Sequence, residues 1–102
     1  MAKSKETIIE EIMNYLNDAC PNHTPFKKIY VGIAKDARDR LFNGHSVSEN
    51  DDVWIYYTAS SDKVAREIEK HFLDSGFDGG AGGGDDESKM VYCFLQNDHT
   101  KR

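Results

Sequence analysis

The sequence predicts an α/β (α+β) domain, a small three-stranded sheet flanked by about three helices, and three observations lead there. Residues 28–34, 51–59 and 89–96 show the period-two alternation or the crowding of aromatic and branched side chains typical of strands. Residues 4–20, 36–44 and 62–75 place apolar residues at helical spacing. A chain of 102 residues suits a single domain, burying roughly two-thirds of the surface its unfolded form exposes.

The elements follow in order. An amphipathic helix over residues 4–20 sets Ile8, Ile9, Ile12, Met13, Tyr15 and Leu16 on one side and Glu10 and Glu11 on the wetter side. Ser4 or Thr7 can cap it, and Pro21 marks its end. "CPNHTP" is a turn, and a core of residues 26–96 begins after it. In the strand 28–34, Ile29, Val31 and Ile33 point one way and Tyr30, Gly32 and Ala34 the other. Asp36 is a good N-cap for a short helix in which Ala37 and Leu41 share a face and Arg40 lies to one side. "DDVWIYYTA" reads as a second strand. Ser60 or Ser61 caps the next helix, and Gly76 is placed to end it. "DGGAGGGDDES" reads as a mobile loop, "KMVYCFLQ" as the third strand, and residues 97–102 as a flexible tail. Strand order cannot be read from this pattern.

Composition narrows the function. The net charge of −5 argues against a surface that grips nucleic acid everywhere, since non-specific affinity comes from Lys and Arg neutralising phosphates. Residues 26–45, however, hold five basic and two acidic residues, whereas residues 74–87 hold five acidic and no basic ones. A small basic site beside an acidic loop fits; a broad basic face does not. No signal-peptide or membrane-spanning run is visible, and Cys20 and Cys93 lie far apart in no metal-like spacing. The expectation is a cytoplasmic protein with reduced, packed thiols and no membrane contact.

Several candidate motifs have plain readings. "GGAGGG" lacks the Gly-Lys-Ser/Thr ending of a phosphate loop and reads as a linker. Glu67 and His71 could share a metal at i, i+4, but such pairs are common on solvated helices. Trp54, Tyr56 and Tyr57 could stack on bases, although aromatic strand residues in a small protein usually pack into the core. Glu69 is more informative. It falls between Ala65 and Leu73, bordering the stripe of Val64, Ala65, Ile68 and Phe72, where an ionised carboxylate needs a partner or an exit to water.

One constellation stands apart: "YVG" closing a strand, Arg40 ten residues after Tyr30, His45 shortly beyond, then a strand and the helix "AREIEKHFL" containing Glu69. Over residues 28–73 this resembles the GIY-YIG nuclease superfamily. The resemblance implies a GIY-YIG-like fold whose missing opening strand is replaced, in a permuted arrangement, by the last strand, which supplies Tyr92. It implies Tyr30, Arg40, His45 and Tyr92 as catalytic residues and Gly32, Lys35 and Arg38 around the substrate. It also implies Glu69 as the ligand of one Mg²⁺ or Mn²⁺, with DNA or RNA as the partner. The chemistry needs those types: a guanidinium fork suits phosphate oxygens and a hard cation prefers carboxylate oxygen. The alternative is an inactive GIY-YIG-like scaffold that meets another protein, for instance through its first helix.

Overall fold

The computed structural model describes residues 3–80 and 87–102. It is an α+β fold built as two unequal layers on a three-stranded antiparallel sheet. Helix α1 (Lys5–Ala19) starts at Ser4, whose side chain accepts the Thr7 N–H, and ends at Cys20, just before Pro21. A 3₁₀ turn, Phe26–Lys28, leads into β1 (Ile29–Ala34). Asp36 then caps α2 (Ala37–Asp39), accepting the Asp39 N–H. The expected short helix does not continue as α-helix: it widens into a π turn, Arg40–Gly44, closed by the His45 N–H on the Arg40 carbonyl at 2.8 Å. Strand β2 (Trp54–Thr58) follows, then α3 (Asp62–Asp74), capped by Ser61, and β3 (Met90–Leu95). Gly76, at φ 112°, takes the left-handed position beyond the end of α3, and Phe77 returns its N–H to the Phe72 carbonyl. Of the glycine-rich stretch read as a loop, residues 81–86 lie outside the described residues.

The last strand sits in the middle, in the order β1-β3-β2. Tyr30 pairs with Phe94, Gly32 with Tyr92 and Val31 with Cys93 on one side of β3; Trp54 pairs with Phe94 and Tyr56 with Tyr92 on the other. The pairing that a permuted last strand requires is therefore present. The outer edge of β1 is covered by the segment around Asp78, which accepts the Val31 N–H and donates its own to Ile29, both at 2.9 Å.

The alternation seen in the sequence divides the molecule. Ile29, Val31, Ile33, Val91 and Cys93 face α1 and α3 and join Ile8, Ile12, Ile68 and Phe72 in the larger core. Ala34, Tyr92 and Phe94 face the other way, under Ala37, Leu41 and Val47. Because the apolar stripe of α1 is turned inward, only its polar side is left for any partner. No helix among the described residues is long and apolar enough to cross a membrane.

Residues 97–102 differ from the expected flexible tail. Asn97 and His99 bond the Asp52 carboxylate, Lys101 exchanges two hydrogen bonds with His45, and Arg102 pairs with Asp78 at 2.7 Å. Asp52 and Asp78 are well-covered carboxylates, which gives these polar side chains fixed partners.

Candidate functional site

Tyr30 projects from β1 onto the smaller-core face and remains half-buried. Its ring lies 5.2 Å from Phe94 and 4.8 Å from His45, centroid to centroid. Tyr92, one cross-strand pair along, lies directly over Gly32. A Cβ at position 32 would come within 2.5 Å of the Tyr92 hydroxyl, so only glycine leaves room for the ring. This assigns Gly32 a local purpose: it admits the second phenol.

His45 reaches the same face because of the π turn. In an α-helix it would stand five residues from Arg40, about 140° round the axis; the i to i+5 closure brings it back beside Arg40. Ser46, at φ 59°, then turns the chain away through the left-handed region. The His45 Nδ1 lies 2.7 Å from the Lys101 carbonyl, which can only accept, so Nδ1 carries the proton. In the neutral ring Nε2 offers a lone pair, and the Tyr92 hydroxyl donates to it at 2.7 Å. Burial holds the His45 pKa below its ordinary value, and the Arg40 charge adds to this against the opposing pull of the Lys101 carbonyl. Burial pushes the Tyr92 phenol up to about 12, with the Tyr30 phenol adding to the rise and Arg40 working against both through charge and a hydrogen bond.

Arg40 is exposed on this side and acts on Tyr30, Tyr92 and His45. Beside it a groove of about 490 Å³ runs along the end of β1, lined by Ile33, Lys35, Asp36, Asp39, Arg40 and Met90. Lys35 stands at its rim, 2.8 Å from Glu87. Arg38 does not join the group. Two residues before Arg40, it points to the β2 side, bonded to Glu49 at 3.0 Å and lying over the Phe42 and Trp54 rings.

Glu69 enters from α3. It is 5% exposed, and among the described residues neither a hydrogen bond nor an ion pair closes on it. Among the described residues no fully buried side-chain oxygen or nitrogen lacks a partner, so the Glu69 oxygens reach solvent: of the two arrangements left open by the sequence, the exit to water is the one found. Its charge adds slightly to the raised pKa of both Tyr30 and Tyr92, although α3 packs on the opposite face of the sheet. Burial raises its own pKa above the ordinary 4.5, with Arg66 partly offsetting.

The raised carboxyl pKa has a sign. The folded protein holds the Glu69 proton more tightly than the unfolded chain, so the cost of ionising it grows as pH rises through 4.5 and is complete above the folded pKa. Glu69→Gln is accordingly expected to raise stability at pH 7 by about 1 kcal/mol, the scale of a single stabilising replacement at a strained site. The gain should vanish near pH 4. Urea titrations at both pH values check this, and an equal or lower midpoint for the variant at pH 7 contradicts it.

For a metal, the donor set is small: among the described residues no group of three His, Cys, Asp or Glu converges. A lone carboxylate free of competing hydrogen bonds fits Mg²⁺ in the way that ion is commonly held, by one or two carboxylates, water and substrate phosphates. Glu69 is the residue that would offer such a carboxylate.

Sequence reasoning missed Lys101, Arg102 and Asp78. The Arg102 charge, like that of Arg40, pulls the Tyr30 pKa down against its burial, and Asp78 flanks Tyr30 through the backbone. No periodicity marks these positions. A scan against protein-family models and searches of curated proteins and of solved structures return no match to this chain.

Proposed function

We propose that this chain is a GIY-YIG-like domain that binds nucleic acid and hydrolyses its phosphodiester bonds with a divalent metal. The observation that carries the reading is that Tyr30 of β1, Tyr92 of β3 and His45 of the π turn pack together on one sheet face with Arg40 beside them, while Glu69, from α3 on the opposite face, acts electrostatically on both phenols. Arg40, exposed beside the groove, offers its guanidinium fork to phosphate oxygens. Tyr30, half open to solvent, stands where it can orient a water. Tyr92, its pKa pushed up to about 12, keeps its proton and donates it as a hydrogen bond to His45 Nε2, which holds the two rings in place. A Mg²⁺ or Mn²⁺ at Glu69 would supply Lewis acidity and acidify bound water. Two unpaired thiols, Cys20 and Cys93, suit the cytoplasm, where we place the protein.

Supercoiled plasmid with Mg²⁺ or Mn²⁺ tests the reading. The wild type is expected to nick it, and Arg40→Ala and Glu69→Ala each to slow nicking by about 10²–10³, the usual loss when one transition-state ligand is removed. Nicking that survives in both variants counts against the site. Absence of nicking in the wild type favours a second reading, an inactive scaffold that binds another protein. What supports that alternative is the depth of the pair: Tyr92 is 1% and His45 4% exposed.

A further inference from the structure

We propose that residues 97–102 are a working part of this site: the Lys101 main chain positions His45, and the Arg102 guanidinium supplies a second phosphate ligand beside Tyr30. The inference rests on the phosphodiester reading for its Arg102 half alone.

The segment runs across one end of the sheet. It is pinned on the β2 side by Asn97 and His99 on Asp52, in the middle by Lys101 on His45, and beyond β1 by Arg102 on Asp78. The middle contact is double. Lys101 donates its N–H to the His45 carbonyl and accepts the His45 Nδ1–H, both at 2.7 Å. A ring held at Nδ1 by a carbonyl has one neutral tautomer, the one whose Nε2 faces the Tyr92 hydroxyl. Without Lys101 the two tautomers would compete, and the Nε2–H form would turn that nitrogen from acceptor to donor toward the Tyr92 hydroxyl.

Arg102 reaches Tyr30 through Asp78. The Asp78 backbone pairs on either side of Tyr30, and its Oδ1 holds Arg102 at 2.7 Å. The Arg102 side chain is 65% exposed. An ion pair this open is worth little, so a phosphate can replace or share Asp78 at small cost. Arg40 and Arg102 then stand as two guanidiniums acting on one phenol. Two adjacent phosphates of a nucleic-acid strand are the ligand such a pair fits.

Two full-length variants separate the halves. Arg102→Ala changes an exposed side chain; in fluorescence titrations of a labelled DNA duplex with Ca²⁺ in place of Mg²⁺, the slope of log K against log salt should fall by about one, the signature of one lost phosphate contact. Lys101→Pro removes the N–H that ties the segment to the His45 main-chain carbonyl and so frees the Lys101 carbonyl to leave Nδ1; the ¹⁵N shifts of His45, which should report the Nδ1–H tautomer in the wild type and in Arg102→Ala, should then move to a tautomer mixture. Unchanged His45 shifts in Lys101→Pro overturn the positioning role, whether or not DNA is bound. An unchanged salt slope in Arg102→Ala overturns the ligand role while leaving the phosphodiester reading standing. Failure of the wild type to bind DNA overturns that reading and the Arg102 half together.

Discussion

Gly32→Ala is expected to unseat Tyr92 and cost about 3 kcal/mol, combining overpacking of the core with loss of a buried hydrogen bond. The added methyl would sit 2.5 Å from the Tyr92 hydroxyl and 2.6 Å from its Cζ, closer than any real contact. The Tyr92 ring is 1% exposed and bonded at its tip, so it cannot swing outward without breaking its bond to His45. Backbone movement is also restricted, because β1 is paired on both edges, by β3 and by the Asp78 segment. Urea unfolding gives the stability change, and the His45 ¹⁵N shifts report whether Nε2 has lost its donor. A variant as stable as the wild type with the same His45 shifts would mean that Tyr92 does not lie across position 32.

Phe94→Ala is expected to cost about 3–5 kcal/mol, the usual range for a fully buried phenylalanine. Phe94 is 0% exposed and lies 5.2 Å from the Tyr30 ring and 5.0 Å from the His45 ring. It is the floor on which both site residues rest, and its neighbours across the sheet are Tyr30 and Trp54. Against a typical domain stability of about 5–15 kcal/mol, the loss leaves the variant marginal. Phe94→Leu, closer in volume, should cost under about 1.5 kcal/mol. Chemical denaturation distinguishes the two; equal midpoints for Ala and Leu would show that packing at this position is loose.

Much of this architecture was legible because it depends on local chemistry. The first and third helices follow from apolar spacing, and their ends from Ser4, Ser61 and Gly76, whose roles are set within one turn. Glu69 was legible for the same reason: a carboxylate bordering an apolar stripe is a local anomaly. The order β1-β3-β2 was not, since alternation fixes faces and not neighbours. Nor was the π turn, which has no residue pattern of its own, and which decides that His45 stands beside Arg40. Arg38 and Arg40 looked equivalent in a basic run; two residues on a helix are about 200° apart, and packing sends one to Trp54 and leaves the other at the groove. Residues 97–102 were opaque because their partners, Asp52, His45 and Asp78, are remote in sequence.

The placement of β3 between two strands that never touch each other bears on how the protein is born. On the ribosome, β1 and β2 emerge with no edge to join, and each waits for a segment made later. At about 5–20 residues per second, the stretch from Ile29 to Met90 takes roughly 3–12 seconds to synthesise. From their own synthesis to the end of that interval, the aromatic side chains of Trp54, Tyr56 and Tyr57 lack the strand that pairs beside them. Nascent chains stalled before residue 90 should therefore remain protease-sensitive and recruit holdase chaperones, and both properties should disappear together once the closing strand clears the exit tunnel.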